Sequence, residues 1–229
     1  MENAWRKYAV IVAGGVGLRM GADKPKQFLD LKGKPILWHT IQQFLDAFSD
    51  LQIILVLPKE YISDGVEILP LLSDRERIEI IAGGPTRFDS VKIGLSMIDH
   101  PGIVFVHDGV RCLVSIDLIQ RCYTQAIEKG SAIPAVAATD SIRIVNGNTN
   151  SVANRELVRM IQTPQTFQTN ILLPAFKQSY KESFTDEATV LEASGINVHL
   201  IEGEYNNLKI TRPIDLLLAE SILEERNRS

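Results

Sequence analysis

Close to the amino terminus, glycines at 14, 15 and 17 are followed by three cations, Arg19, Lys24 and Lys26. The glycines come directly after a short apolar run, residues 8–13. A buried strand that runs into glycines lets main-chain N–H groups approach an anion closely. The cations then neutralise charge that the loop alone does not. This is a stretch for handling phosphate. Two familiar phosphate-binding patterns do not fit it. A Walker loop needs G-x-x-x-x-G-K-[ST], but the residues five places after Gly14, Gly15 and Gly17 are Arg19, Met20 and Ala22. A dinucleotide fingerprint needs G-x-G-x-x-G. Gly15 and Gly17 begin one, but Met20 stands at the third glycine position, and the second apolar run, 52–57, ends in Pro58 without an acid to hold a ribose.

Asp108 follows the apolar run 103–106, with Gly109 next and Arg111 three residues on. A carboxylate there can hold Mg²⁺ between phosphate oxygens, because Mg²⁺ takes few protein ligands and keeps waters. It can equally cap the helix expected near residue 115 or pair with Arg111. His107 suits packing or hydrogen bonding beside it. Gly83-Gly84-Pro85-Thr86-Arg87 with Ser90 forms a second loop leading into a helix N-terminus. Its N–H groups and hydroxyls could read a base edge or bind an anion, and Thr86 is an ordinary N-cap in either case. Thr185-Asp186-Glu187 opens a helix in the same way. Lys209, between Leu208 and Ile210, is expected to point inward at a charged partner.

These residues need a frame. Continuous apolar runs at 52–57, 78–82, 103–106 and 132–137 read as buried strands. Helical spacing appears over 36–48, after Thr86 and over 115–129, and weakly over 60–73. Strand and helix alternating from residue 8 to 137 predict a mostly parallel sheet with helices on both faces. Ligands in such sheets sit at the carboxyl ends of the strands, which puts loops 13–27, 83–90 and 107–111 on one rim. Residues 138–162 break the rhythm. Ser141 to Val145 alternate, Asn146-Gly147-Asn148 signals a turn, and a second segment returns toward Gln162, predicting a β-arm that projects from the domain. Helical patterns resume at 169–180 and 186–194, a strand follows at 198–202, and a last helix begins at Pro213.

The chain has 229 residues, 45% of them hydrophobic and 23% charged, which suits one soluble domain over 1–229. A net charge of −4 argues against general nucleic-acid binding. Cys112 and Cys122 offer neither a C-x-x-C site nor a disulfide framework, and the four histidines lack zinc spacing. No run approaches a membrane span. The expectation is a cytoplasmic protein.

Taken together, AGGxGxRM over 13–20 and PKQ at 25–27 resemble the nucleotidyltransferase signature of sugar-phosphate activating enzymes. With GG.TR.DSV, VHDGVR, QTPQTF, FTDEA and N.KITRP, residues 8–222 resemble the cytidylyltransferase family that acts on 2-C-methyl-D-erythritol 4-phosphate in the non-mevalonate isoprenoid pathway. Ribitol 5-phosphate cytidylyltransferases share the pattern and are the alternative within enzymes, and a nucleotide-binding regulator without turnover is a third. Two positions depart from the family pattern: Cys112 stands where proline is usual and Ser141 where threonine is usual. The resemblance implies a Rossmann-like nucleotidyltransferase fold, with CTP and a polyol phosphate as substrates and Mg²⁺ as cofactor. It implies catalytic roles for Arg19 and Lys26, nucleotide contacts from Ala13, Gly14, Gly15, Gly17, Gly83, Gly84 and Ser90, and Asp108 as the metal ligand. It places the acceptor against Arg111, Ser141, Arg155, Thr185 and Lys209. It also implies a homodimer in which the arm, carrying Ser141 and Arg155, enters the neighbouring subunit's site.

Overall fold

A computed structural model describes residues 5–15, 24–226 and 228. The fold is organised on β1 (Arg6–Val12), whose side chains alternate between two packed faces. Tyr8, Val10 and Val12 join one hydrophobic cluster, and Ala9 and Ile11 join the other. A strand covered on both sides can contain no solvent-facing residue, so it reads as an unbroken apolar run.

Next come a small hairpin of β2 (Asp30–Leu31) and β3 (Lys34–Pro35), then α1 (Ile36–Ala47), β4 (Leu51–Leu57) and α2 (Ile62–Ile68). The chain continues through β5 (Ile78–Ala82), α3 (Arg87–Ser96), β6 (Gly102–Asp108), α4 (Ile116–Lys129) and β7 (Ser131–Ala137). The excursion holds β8 (Ile142–Asn146) and β9 (Thr149–Ala153), and β10 (Arg159–Ile161) follows. The remainder is β11 (Gln165–Gln168), α5 (Thr169–Ala175), α6 (Glu187–Glu192), β12 (Leu200–Glu202) and α7 (Pro213–Arg226).

The main sheet runs β10-β7-β11-β6-β1-β4-β5, with β12 also pairing β7. Strands β6, β1, β4 and β5 are mutually parallel. Helices α1 and α4 cover one face, while α3, α5 and α6 cover the other. The expected α/β class and the mostly parallel centre are present. In register, Val12 lies opposite Val56 on one side and Asp108 on the other, and Val56 lies opposite Ile81. The strand carboxyl ends therefore stand level, and the loops that follow them meet at one rim.

Several expectations are corrected. Strand β11 is antiparallel between β6 and β7, where the sequence suggested no strand. Its Gln165 and Thr166 are buried polar residues in a central position. The Gln165 carboxamide is satisfied by accepting from Ala188 N at 2.9 Å and donating to Asp186 Oδ2 at 2.9 Å. The helix expected over 169–180 ends at Ala175, with Pro174 in its last turn, and that expected over 186–194 spans only Glu187–Glu192. The arm expected over 138–162 is a hairpin only over β8 and β9, which pair with each other. Residues 159–161 return to the main sheet because they pair with β7.

Helix α3 packs closely on the sheet at Gly94. A Cβ on Gly94 would sit 2.5 Å from Val10 Cγ1 and 3.1 Å from Val56 Cγ2, both on core strands. A Gly94→Val change is therefore expected to cost about 1–3 kcal/mol through overpacking, read as a lower urea midpoint. A wild-type midpoint would contradict the close contact.

Candidate active site

The period-two geometry of β6 decides where its end residues point. Val104 and Val106 pack in the cluster on the α3 face, and Asp108 continues that row. Its carboxylate therefore emerges where α3 begins, and Arg87 is the first residue of that helix. Arg87 Nη2 lies 3.2 Å from Asp108 Oδ1. Lys209 Nζ lies 2.8 Å from Oδ2, and Arg111 Nε lies 3.7 Å from the same oxygen. Burial alone would raise the Asp108 pKa, but the Arg87 guanidinium and then the Lys209 ammonium overcome it and hold the carboxyl well below its ordinary range. Arg87 also forks onto Glu187, with Nη1–Oε1 at 2.5 Å and Nη2–Oε2 at 3.2 Å. Burial opposes the charge on Arg87, but Glu187 and Asp108 more than compensate and keep it protonated.

His107, one residue earlier, faces the opposite way and packs edge-on against Phe44 at 5.0 Å. Its ring closes a chain of hydrogen bonds. Asp108 N donates to Thr163 Oγ1 at 3.1 Å, Thr163 Oγ1 lies 3.1 Å from His107 Nδ1, and His107 Nε2 lies 3.2 Å from Arg111 O. This order assigns the proton to Nε2, since Arg111 O only accepts. The expectation of a hydrogen-bonding role for His107 is met.

A cavity of about 430 Å³ opens on this rim. Ala13, Gly14, Gly15, Lys26 and Gln27 line one part, and Gly83, Gly84, Thr86, Arg87 and Ser90 line another. Asp108, Lys209 and Thr211 complete the wall, with Pro58 and Glu60 following β4. Lys26 runs beside Gly15, and its Nζ donates to Ile210 O at 3.1 Å. Gln27 Nε2 donates to Ala13 O at 2.8 Å, tying the lysine turn to the end of β1. Gly84 is needed for packing whatever ligand binds, since a Cβ there would meet Asp89 Cβ at 2.4 Å. Ser90 Oγ is engaged by the same loop, accepting from Gly84 N at 3.2 Å.

Of the residues expected from the sequence, Ala13, Gly14, Gly15, Lys26, Gly83, Gly84, Ser90, Asp108 and Lys209 thus line one cavity. Gly17 and Arg19 lie outside the described residues. Arg111 sits behind Asp108 and donates to Asn207 O at 2.8 Å. Ser141, Arg155 and Thr185 are exposed and do not line the cavity, and Arg155 Nη1 donates to Thr139 O at 2.9 Å. Lys209 is half-exposed rather than buried, but it has the charged partner expected of it. The sequence reading missed Arg87, Gln27 and Glu187. All three fall inside motifs it singled out, and the visible signal was a charged or amide residue directly beside a loop or cap.

Buried His107 has its pKa pushed down to about 3 by loss of solvation. Below its ordinary value near 6.5 the unfolded chain takes up a proton that the native ring refuses, so stability falls as pH falls from about 6.5 toward about 3. The slope approaches about 1.4 kcal/mol per pH unit. Urea unfolding at pH 6.5 and pH 4.5 should show a loss smaller by about 2 kcal/mol in His107→Gln than in the parent. Equal losses in both proteins would mean that His107 titrates normally.

Residues 8–225 match the family model described as IspD, 2-C-methyl-D-erythritol 4-phosphate cytidylyltransferase. The protein of that name from Bacteroides thetaiotaomicron is 42% identical over 218 residues, covering 95% of this chain and 100% of the relative. That from Porphyromonas gingivalis is 43% identical, covering 95% and 98%. Among solved structures, 4-diphosphocytidyl-2C-methyl-D-erythritol synthase from Anaerococcus prevotii superposes with a TM-score of 0.81 at 27% identity, covering 95% of this chain and 97% of that one. The Francisella tularensis 2-C-methyl-D-erythritol 4-phosphate cytidylyltransferase gives 0.79 at 33% identity, covering 94% and 99%. With the family model and the relatives matching nearly the whole length, this chain belongs to the 2-C-methyl-D-erythritol 4-phosphate cytidylyltransferase family.

Proposed function

We propose that this chain transfers CMP from CTP to 2-C-methyl-D-erythritol 4-phosphate, giving 4-diphosphocytidyl-2-C-methyl-D-erythritol and pyrophosphate. The observation that carries this reading is the single cavity in which a glycine loop, Lys26, the Gly83–Gly84 turn and the Asp108–Lys209 pair meet, in a chain of this family. An oxygen of the acceptor phosphate attacks the α-phosphorus of CTP, and the bond to the bridging oxygen breaks to release pyrophosphate. A phosphate monoester has its second pKa near about 6, so the nucleophile is already largely ionised and needs no general base. What remains is to bring two polyanions together and stabilise charge at phosphorus.

The cations answer that need. Lys26 and Lys209 come from distant parts of the chain yet share one wall, because Lys26 binds the carbonyl of the residue after Lys209. Arg19 completes the pair with Lys26 on motif grounds. For Mg²⁺, the donor set fits. Asp108 is a hard, ionised carboxylate on the wall of a phosphate cavity, and Mg²⁺ is commonly held by one or two carboxylates plus substrate phosphates. Bound at Asp108, the ion would neutralise phosphate charge. Among the described residues no cluster of three or more His, Cys, Asp or Glu forms an alternative centre.

We also assign a homodimer and a shared site. Within the described residues, β8 and β9 pair only with each other, and Val145, Val152 and Leu157 on this excursion are 73%, 72% and 82% exposed. An isolated hairpin is marginally stable in water and needs a second surface. A cytoplasmic setting suits Cys112 and Cys122, which are both buried free thiols.

Pure protein given CTP, Mg²⁺ and each polyol phosphate in turn should release pyrophosphate with methylerythritol phosphate and far less with ribitol phosphate, and chelating the metal should stop it. Lys26→Ala should lower kcat by about 10²-fold or more, with a much smaller change in KM for CTP. Turnover near normal in that variant would remove Lys26 from the mechanism. The shared site makes a further demand. Lys26→Ala and Arg155→Ala chains should each be nearly inactive, yet together recover roughly a quarter of parental activity, since half the dimers are mixed and each mixed dimer has one intact site. Mixed dimers confirmed by mass and still inactive would place both residues in one chain's site.

A further inference from the structure

Glu187 is 1% exposed, at the first position of α6, and lies outside the cavity wall. It nevertheless holds both forks of Arg87, at 2.5 and 3.2 Å. Arg87 then meets Asp108 at one oxygen only, with Nε and Nη2 at 3.3 and 3.2 Å from Oδ1. Asp108 Oδ2 is left to Lys209 at 2.8 Å. A guanidinium with a single carboxylate partner favours the two-pronged pairing that covers both oxygens. Glu187 takes that pairing for itself. Its own place is set from both sides by Gln165, which accepts from Ala188 N and donates to Asp186 Oδ2.

We propose that Glu187 is a positioning residue for the transfer reaction: by engaging both forks of Arg87 it prevents that guanidinium from closing over Asp108, and so keeps one carboxylate oxygen directed at Lys209 and the cavity. The kinetic half of this inference rests on the cytidylyltransferase reading, while the structural half stands apart from it.

The test uses the full chain with Glu187→Gln and the paired change Arg87→Met/Glu187→Leu. The Arg87 Nε–H signal, identified by its loss in the paired variant, reports how firmly the guanidinium is held. In Glu187→Gln its exchange should become at least about tenfold faster. The kcat should fall about 10-fold to 100-fold, with KM for CTP moving less than about threefold. Replacing a buried ion pair by apolar residues of similar volume is often neutral for stability, so the paired variant should melt near the parent and, with no guanidinium left to close over Asp108, turn over faster than Glu187→Gln. A stably folded paired variant that turns over no faster than Glu187→Gln would make the network merely structural and overturn the proposal. So would unchanged Nε–H exchange in Glu187→Gln, or faster exchange with parental kcat. If the paired variant does not fold, the Glu187→Gln result decides alone. A parent chain that releases no pyrophosphate would remove the functional reading, and the exchange measurement would still decide whether Glu187 fixes Arg87.

Discussion

A carboxylate buried at the end of a fully buried strand is the constraint on which this site depends. Asp108 is 7% exposed, and every residue of β6 before it is buried. Taking such a charge out of water costs several kcal/mol unless opposite charge and hydrogen bonds replace the solvent, and leaving it unpaired costs about 3–5 kcal/mol. Three cations meet that requirement from three different segments: Arg87 at the start of α3, Arg111 in the turn after β6, and Lys209 from the stretch before α7. Each segment is held in place partly by its claim on one carboxylate. Through Glu187 the same network reaches α6, so the edges of the cavity are electrostatically coupled rather than independently placed.

Beneath the charges lies a layer of buried amides. Asn207 is fully buried; its Nδ2 donates to Thr163 O at 2.9 Å, and its main-chain carbonyl accepts from Arg111. Gln162 makes two bonds to the main chain of Glu204, donating at 2.7 Å and accepting at 3.1 Å. These bonds fasten the segment carrying Lys209 to the residues where the arm rejoins the sheet. The buried main-chain groups of two irregular stretches would otherwise lack partners, and side-chain amides can supply a donor and an acceptor at once. Thus the base of the arm and the lysine beside Asp108 rest on one shared set of hydrogen bonds.

Much of this was legible in the amino-acid order. The apolar runs of β1, β4 and β6 have no polar interruptions because both faces are covered, and that property alone identifies the parallel centre of the sheet. The rim followed, because a parallel sheet with crossover helices brings its carboxyl-end loops together. Ala13, Gly14, Gly15, Lys26, Gly83, Gly84, Ser90, Asp108 and Lys209 were all named from residue type, motif and position, and all line the same cavity. Local spacing determines those features, and spacing is what a sequence displays.

Tertiary structure decided the rest. Strand β11 carries Gln165 in the sheet interior, and only the fold supplies the two partners that satisfy its carboxamide. Whether Asp108 meets Arg111 alone or three cations depends on segments up to 101 residues apart in the chain, joined by packing that local pattern does not encode. Glu187 reads in sequence as an ordinary acid in the first turn of a helix, a place that favours negative charge anyway. Its burial against Arg87, 100 positions earlier, follows from how α3 and α6 pack on one face of the sheet. Residue types and spacing determined the chemistry available to this protein; long-range packing decided which charges meet, because a buried charge settles on whichever partner the fold brings within reach.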